Sequence, residues 1–176
     1  VYAQVSSTPV KSLKHPSNNE IWIAALNGII ASWDGTTMTE IGNLSNVISN
    51  CHNEQGLLGF EFTHDFSSSQ EILLSYTENA DCEGGSNLSG MVIASVEVVD
   101  NKINMNSLVE LRTIAKENRN HNGGNLHSLN DGTYLWSLGD GGGSSDPYGN
   151  GQNVHNPLGT IQYFSYGDKM IEPVLD

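Results

Sequence analysis

The sequence predicts an all-β protein, and three observations support this prediction. Glycine provides 19 of the 176 residues, above the average share of about 7%, which indicates many tight turns. Short apolar segments with a period of two recur at residues 21–24, 29–33, 57–63, 72–77, 91–99, 108–115, 134–138 and 159–165, and no segment has the period of a helix. Asn27-Gly28, Asp34-Gly35, Asp131-Gly132 and Asn150-Gly151 favour hairpins, because both central residues of a type I′ turn need a positive φ. We therefore expect a chain that is mostly antiparallel sheet.

A weak internal repeat divides these strands into larger units. A polar turn followed by an apolar strand that ends in a small residue occurs at residues 17–24, 68–75 and 130–137, and each copy follows another expected strand, at residues 10–14, 59–63 and 124–128. Units of about 40–60 residues with four short strands are typical of β-propellers, in which each blade buries its faces against its neighbours. The sequence predicts a partial propeller with blades at about 10–50, 55–118 and 119–176, the last incomplete. Because a propeller closes with about 4–8 blades, we expect the remaining blades from the rest of a longer chain or from another subunit.

Charge and hydropathy exclude two classes of partner. Seven Lys and Arg stand against 20 Asp and Glu, a formal net charge of −13, so the basic surface that nucleic acids require is missing. The apolar segments have the length of strands, far below the roughly 20 residues of a membrane helix, and predict no membrane insertion. The chain begins with Val1, and Asn43 and Asn87 each begin an Asn-x-Ser glycosylation sequon. These features favour a processed glycoprotein that is secreted to the extracellular space or the periplasm.

The two cysteines, Cys51 and Cys82, bracket a stretch of alternating apolar residues. A disulfide between them would clamp the two ends of a hairpin. The alternative is a pair of free, buried thiols. Neither the cysteines nor the histidines have the spacing of a zinc site.

The densest polar segment, residues 120–159, contains the candidate catalytic pair. His121 stands at the start of one expected strand and Asp140 at the end of its hairpin partner. Since a hairpin returns the chain to its starting point, the two side chains can face each other. A carboxylate beside an imidazole fixes the tautomer and raises the basicity of the ring, as a general base requires. Alternatively, His121 hydrogen-bonds a turn and Asp140 caps a glycine-rich loop.

The same segment offers oxygen ligands for a metal ion. Asp140, Asp146 and Asn150 carry the carboxylate and amide oxygens that calcium prefers, and neighbouring glycines let backbone carbonyls turn inward. The alternative is a loop that is closed only by Asx-turns and main-chain hydrogen bonds.

Two blocks of motifs give a family resemblance. The first comprises residues 54–60, 64–66 and 76–77, and the second comprises residues 121–124, 139–142, 146–147, 149–150, 152–153 and 158–159. In this order they resemble the glucose/sorbosone dehydrogenase family, which includes soluble aldose dehydrogenases that use pyrroloquinoline quinone (PQQ) and the propeller domain of hedgehog-interacting proteins. The resemblance covers about residues 22–164.

The resemblance implies a six-bladed propeller of the quinoprotein type, of which this chain is the N-terminal half. It implies PQQ over the central opening, close to calcium, and a sugar oxidised at its anomeric carbon. His121 matches the general base of the family and Asp140 the carboxylate that orients it, while Glu54 and Asn122 join them as expected cofactor contacts. For Glu54 the alternative is a solvated residue before a tight glycine turn.

The basic residues that hold PQQ in the family belong to later blades, beyond Asp176. Arg119 is near His121 in sequence, and we interpret Arg112 and Lys116 as ordinary strand-end charges.

The sequence is therefore compatible with two functions. The first is the N-terminal part of a PQQ-dependent sugar dehydrogenase, which oxidises a sugar hydroxyl with hydride transfer to the quinone. The alternative is a non-catalytic propeller, secreted or on a particle surface, that acts as a binding or structural protein. In either case we expect no turnover from these 176 residues alone.

Overall fold

The computed structural model describes residues 7–78 and 90–174. Within these ranges the chain forms twelve strands and one helical turn. The strands are β1 (Pro9–Lys14), β2 (Ile21–Ala25), β3 (Ile29–Trp33), β4 (Met38–Asn43), β5 (Leu57–Phe62), β6 (Glu71–Thr77), β7 (Met91–Val99), β8 (Lys102–Ile114), β9 (Gly123–Ser128), β10 (Thr133–Leu138), β11 (Ile161–Gly167) and β12 (Met170–Pro173). The helix α1 (Phe66–Ser69), which the alternation of apolar residues does not predict, is a single turn between β5 and β6.

The strands form three four-stranded antiparallel sheets, β1 to β4, β5 to β8 and β9 to β12, each paired in chain order. The first strand of the middle sheet, β5, contacts both β1 and β9. These three strands are therefore the inner edges of three adjacent wedges, and their first residues lie at one common end. This is the arrangement in which propeller blades stack around an axis.

The core consists of two layers, one on each face of the middle sheet. Trp22, Phe60 and Leu74 belong to the layer between the first and second sheets. Leu73 and Trp136 belong to the layer between the second and third sheets. Because β6 and β7 are buried on both faces, their sequences are nearly continuous apolar runs. By contrast, β9 alternates between buried and exposed residues, and β10 alternates between buried and partly buried residues.

A buried ion pair joins all three inner strands. The Nζ atom of Lys11 in β1 lies 3.2 Å from an Oε atom of Glu61 in β5, with side chains 12% and 10% exposed. The same ammonium donates to the main-chain carbonyl of Leu126 in β9. The Glu61 carboxylate also accepts from the backbone N–H of Ser128 at 3.3 Å. This pair links the three sheets near the axis.

Several sequence-based predictions fall outside the described residues or are untested by them. Cys82 and Asn87 lie outside the described residues, so the Cys51–Cys82 disulfide and the second sequon stay predictions. Asn43 is exposed at the end of β4, and its Oδ1 accepts from the backbone N–H of Ser45 at 2.9 Å. In the described part of the chain, no helix is both long and apolar enough to cross a membrane.

Candidate functional site

The hairpin of β9 and β10 brings the candidate catalytic pair together. Gly123 at the start of β9 pairs with Leu138 at the end of β10, and the backbone N–H of Gly139 donates to the carbonyl of Asn122 at 3.1 Å. Just beyond these bonds, Nδ1 of His121 lies 2.8 Å from Oδ1 of Asp140. The hairpin thus places both side chains at the end of the wedge where the inner strands begin.

The surroundings of Asp140 determine the tautomer of His121. Oδ1 of Asp140 also accepts from the backbone N–H of Gly142 at 2.9 Å. The bond from Gly142 lowers the pKa of the Asp140 carboxyl below its ordinary value, and the bond from His121 lowers it by a smaller amount. An ionised carboxylate has no proton to donate, so in the neutral imidazole Nδ1 carries the proton and Nε2 keeps its lone pair. The His121 side chain is 44% exposed, which leaves Nε2 accessible as a proton acceptor.

Glu54, in the loop that precedes β5, fixes the backbone of His121. His121 has a left-handed backbone with φ of 52°, a conformation that is costly for a residue with a Cβ atom. Its N–H donates to Oε2 of Glu54 at 2.7 Å. The main-chain carbonyl of Glu54 accepts from Nδ2 of Asn122 at 2.8 Å, and that amide group also donates to the carbonyl of Arg119 at 3.0 Å. The structure therefore brings Glu54, His121, Asn122 and Asp140 into one cluster.

The glycine-rich loop after β10 allows the close approach of Asp140 to His121. A Cβ atom on Gly139 would lie only 1.9 Å from the carbonyl oxygen of His121. Gly141, Gly142 and Gly143 have φ values of 85°, 95° and 89°, which side chains with a Cβ atom rarely adopt. A run of glycine here is a requirement of the site.

The oxygen atoms predicted to bind calcium are hydrogen-bonded within the loop. The Asp146 carboxylate accepts from the backbone N–H groups of Asn150 at 2.9 Å and of Gly151 at 3.0 Å. Oδ1 of Asn150 accepts from Asn156 at 2.7 Å, and its Nδ2 donates to the Asp140 carbonyl at 2.9 Å. Across residues 7–78 and 90–174, no three His, Cys, Asp or Glu residues are grouped so as to hold a metal ion. These hydrogen bonds are of the kind expected from the alternative, a loop that is closed by Asx-turns and main-chain hydrogen bonds. The calcium site stays a prediction.

Lys116 is a buried residue next to the site that the sequence does not reveal. Its interpretation as an ordinary strand-end charge is wrong, because the side chain is only 3% exposed and donates to the main-chain carbonyl of Asn118. Burial lowers its pKa to about 8, against the attraction of Glu54 and Glu117. An isolated lysine after a strand carries no sequence pattern that distinguishes it from a solvated one.

Two further buried polar atoms lie in the same segment. Oδ1 of Asn122 and Nδ2 of Asn118 are buried and have no hydrogen-bond partner among the described residues. Because Nδ2 of Asn122 donates to two carbonyls, Oδ1 is the unsatisfied atom of this amide group.

A family model supplies the deciding comparison. The model described as glucose/sorbosone dehydrogenase matches residues 7–168, which is most of the chain. The chain belongs to the glucose/sorbosone dehydrogenase family.

Solved structures agree with this family assignment at the level of the fold. The soluble aldose sugar dehydrogenase of Escherichia coli, in its apo-form, aligns with a TM-score of 0.72 and 21% identity, over 90% of this chain and 44% of that chain. The PQQ-bound aldose sugar dehydrogenase of Streptomyces coelicolor aligns with a TM-score of 0.71 and 20% identity, over 93% of this chain and 46% of that chain. A putative oxidoreductase (glucose dehydrogenase) of Thermus thermophilus aligns with a TM-score of 0.68 and 18% identity, over 89% of this chain and 43% of that chain. The comparison with curated proteins gives no match.

These alignments confirm the predicted fold class of the glucose/sorbosone dehydrogenase chain, an all-β propeller present in part. The chain spans less than half the length of each of these three structures.

Proposed function

We propose that this chain is the part of a PQQ-dependent sugar dehydrogenase that carries the general base. The supporting observation is the 2.8 Å contact between His121 and Asp140 at one end of the inner strands. Family membership, with the PQQ-bound neighbour from Streptomyces coelicolor, supports the choice of cofactor. The proposed site residues are His121 and Asp140 for catalysis, with Glu54 and Asn122 beside the cofactor.

The residues of the cluster fit one edge of the cofactor. The Oδ1 atom of Asn122 is a buried acceptor without a partner in the described part of the chain, and the exposed ring of His121 stands next to it in sequence. Arg119, partly buried, is the cation nearest in sequence to His121 and suits a carboxylate of the quinone. When bound, PQQ supplies a two-electron acceptor for the hydride that leaves the sugar carbon.

The protein's own part in the reaction is proton transfer. Nε2 of His121 accepts the proton of the sugar hydroxyl, because Nδ1 is occupied by the proton shared with Asp140. The ionised Asp140 stabilises the imidazolium that this transfer creates. Glu54 holds the His121 backbone in its left-handed conformation, so the ring is already oriented before the sugar arrives.

The other components of the enzyme belong to the proposal as well. The further blades come from the rest of a longer chain or from another subunit, and they supply the additional basic groups that a tricarboxylated quinone needs. Calcium near the cofactor and a secreted or periplasmic location complete the proposal.

The test is reconstitution of the polypeptide that contains these residues. We expect it to take up PQQ at micromolar concentration in the presence of calcium, and then to reduce an electron-accepting dye when an aldose is added. Failure to take up PQQ, with partner binding unaffected by His121→Ala, would contradict the proposal and favour the binding-protein alternative.

A further inference from the structure

Asn122 is a buried amide at the point where the loop before β9 meets the loop before β5. The residue is only 3% exposed, and its Nδ2 donates to the carbonyl of Glu54 at 2.8 Å and to that of Arg119 at 3.0 Å. Carbonyl oxygens accept hydrogen bonds and cannot donate them, so only the NH₂ end of the amide can face these two groups. Both N–H groups of the side chain therefore bind main-chain carbonyls, and Oδ1 is left without a partner in the described part of the chain.

The bonds of Asn122 fix the backbone on both sides of His121. The bond from its side chain to the Arg119 carbonyl closes a turn over residues 119–122, in which His121 lies. The main-chain carbonyl of Asn122 accepts from the N–H of Gly139 at 3.1 Å, which attaches the end of this turn to the hairpin partner strand. His121 is thus enclosed between two hydrogen bonds that Asn122 makes.

The main-chain carbonyl of Glu54 is a more rigid attachment point than its carboxylate. The same peptide group donates through the N–H of Gln55 to the carbonyl of His52 at 2.9 Å, and Gln55 is buried, so the orientation of this peptide group is fixed. Glu54 itself is exposed, and an exposed glutamate side chain retains much of its rotamer freedom. The bond from Asn122 therefore ties the segment of His121 to a fixed part of the loop before β5.

This attachment accounts for the backbone conformation of His121. Its φ of 52° is costly for a residue with a Cβ atom and persists only where the surrounding structure determines it. Gly123 and Gly124 follow with φ values of 72° and 98°, and glycine enters this region freely, so these two residues do not stiffen the segment. Asn122 stands between them and His121 and makes the bonds that do.

We propose that Asn122 is a positioning residue, whose two side-chain N–H groups hold the 119–122 turn on the Glu54 carbonyl and thereby keep Nδ1 of His121 facing Asp140. Its Oδ1 takes no part in this positioning. The consequence for catalysis rests on the proposed function, whereas the effect on the geometry of His121 does not.

The test compares Asn122→Ala and Asn122→Asp in the polypeptide without quinone or sugar. Asn122→Ala removes both donors, and Asn122→Asp keeps Oδ1 but, ionised or protonated, offers at most one donor to the two carbonyls. We expect both variants to lower the protection of the His121 amide against hydrogen exchange by about tenfold or more, the scale of a buried carbonyl left without its donor. The nitrogen chemical shifts of the neutral His121 ring should change from those of the Nδ1–H tautomer to those of a mixture with Nε2–H, because Nδ1 loses its carboxylate partner.

Asn125 provides the matched controls. It lies close by in β9 and is exposed, so Asn125→Ala and Asn125→Asp make the same chemical changes and should leave the exchange and the tautomer of His121 native. Amides of β10 should keep their native protection in every variant, which shows that the hairpin is folded. If Asn122→Ala does not fold, Asn122→Ser, which keeps one donor, takes its place, and its loss of His121 protection should be smaller but measurable.

Two outcomes would overturn the proposal. The first is native protection and a native tautomer of His121 in Asn122→Ala, or in Asn122→Ser where that variant replaces it. The second is a native His121 in Asn122→Asp beside a perturbed one in Asn122→Ala, since Oδ1 would then be the atom that matters. In the quinone-loaded enzyme, at saturating PQQ, Asn122→Ala should lower kcat and leave the KM for the aldose unchanged. A parent protein without turnover would contradict the proposed function alone, because the exchange and tautomer measurements need neither quinone nor sugar.

Discussion

Nδ1 of His121 lies 2.8 Å from Oδ1 of Asp140, although 19 residues and a complete hairpin separate them in the chain. The contact depends on three features of different origin: the β9–β10 register, the glycine loop that lets Asp140 approach, and the carboxylate of Glu54 that fixes the His121 backbone. Each feature can be altered by one substitution, which makes the arrangement testable.

Asp140→Asn removes the charge beside His121 and keeps the size of the side chain. A neutral amide does not stabilise the imidazolium formed when Nε2 takes a proton, so we expect kcat for aldose oxidation to fall by about 10²-fold or more in the quinone-loaded enzyme. Asp131→Asn, in the turn at the other end of the same hairpin, is the matched control and should retain native kcat. Equal activity of the two variants would contradict the role of Asp140.

Gly139→Ala tests the close approach of the two loops. The new Cβ atom would stand 1.9 Å from the His121 carbonyl oxygen, so the backbone must shift at a cost of about 1–3 kcal/mol. Gly167→Ala is the matched control, because a Cβ atom there meets nothing within 4 Å. Urea unfolding should show the loss of stability in the first variant alone, and a displaced His121 amide resonance should accompany it. Equal unfolding midpoints for the two variants would speak against this packing.

Lys11→Met breaks the ion pair that joins the three inner strands. The substitution leaves the Glu61 carboxylate buried without its cation, and we expect a loss of about 3 kcal/mol in the free energy of unfolding. Lys14→Met, on the same strand but exposed, should cost little. In the double variant Lys11→Met/Glu61→Leu the loss should be smaller than in Lys11→Met alone, because no unpaired charge remains. A larger loss in the double variant would show that the pair is not the relevant contact.

His15 should make the stability of the protein sensitive to mild acid. Its ring is buried among Trp22, Phe62 and Phe66 at centroid distances of 5.2–5.4 Å, and its Nδ1 accepts from the N–H of Ser17 at 3.2 Å. Burial lowers the pKa of His15 from its ordinary value of 6.5, against a weaker opposite effect of Glu20.

Proton linkage determines whether the stability rises or falls with pH. The unfolded chain binds a proton at His15 near pH 6.5, whereas the folded chain resists it, so stability is full above this pH and falls as the pH is lowered toward the folded pKa. Unfolding free energies measured from pH 7.5 to pH 5 should decline less steeply in His15→Phe. Parallel declines in the two proteins would contradict this prediction.

The sequence predicts those parts of the fold that leave a regular pattern. Most strands of the middle sheet and of the β9–β10 hairpin show as apolar runs or alternation, because burial on two faces or on one face imposes these patterns. Neither an apolar run nor alternation is present in β4, in the first half of β8 or in β12. Residues such as Thr39 and Glu40 in β4 and Asn106 in β8 are exposed, so the backbone pairing that defines these strands is not visible in side-chain hydropathy.

The candidate site likewise has one part that could be predicted from the sequence and another that could not. The nearness of His121 and Asp140 follows from hairpin geometry and could be predicted, since both residues flank one pair of consecutive strands. The bond from His121 to Glu54 joins the loops before β5 and β9, 67 residues apart, and the burial of Lys116 depends on how its segment packs against the glycine-rich loop. Such contacts depend on the stacking of blades, which no local pattern records.

The most direct test of the proposed base is the kcat of His121→Ala in the quinone- and calcium-loaded enzyme, compared with His64→Ala, a histidine beyond the other end of the inner strands. We predict a loss of about 10²–10⁴-fold for His121→Ala, measured at saturating PQQ and with a native circular dichroism spectrum, and native kcat for His64→Ala. Native turnover by His121→Ala would show that the imidazole held by Asp140 is not the base.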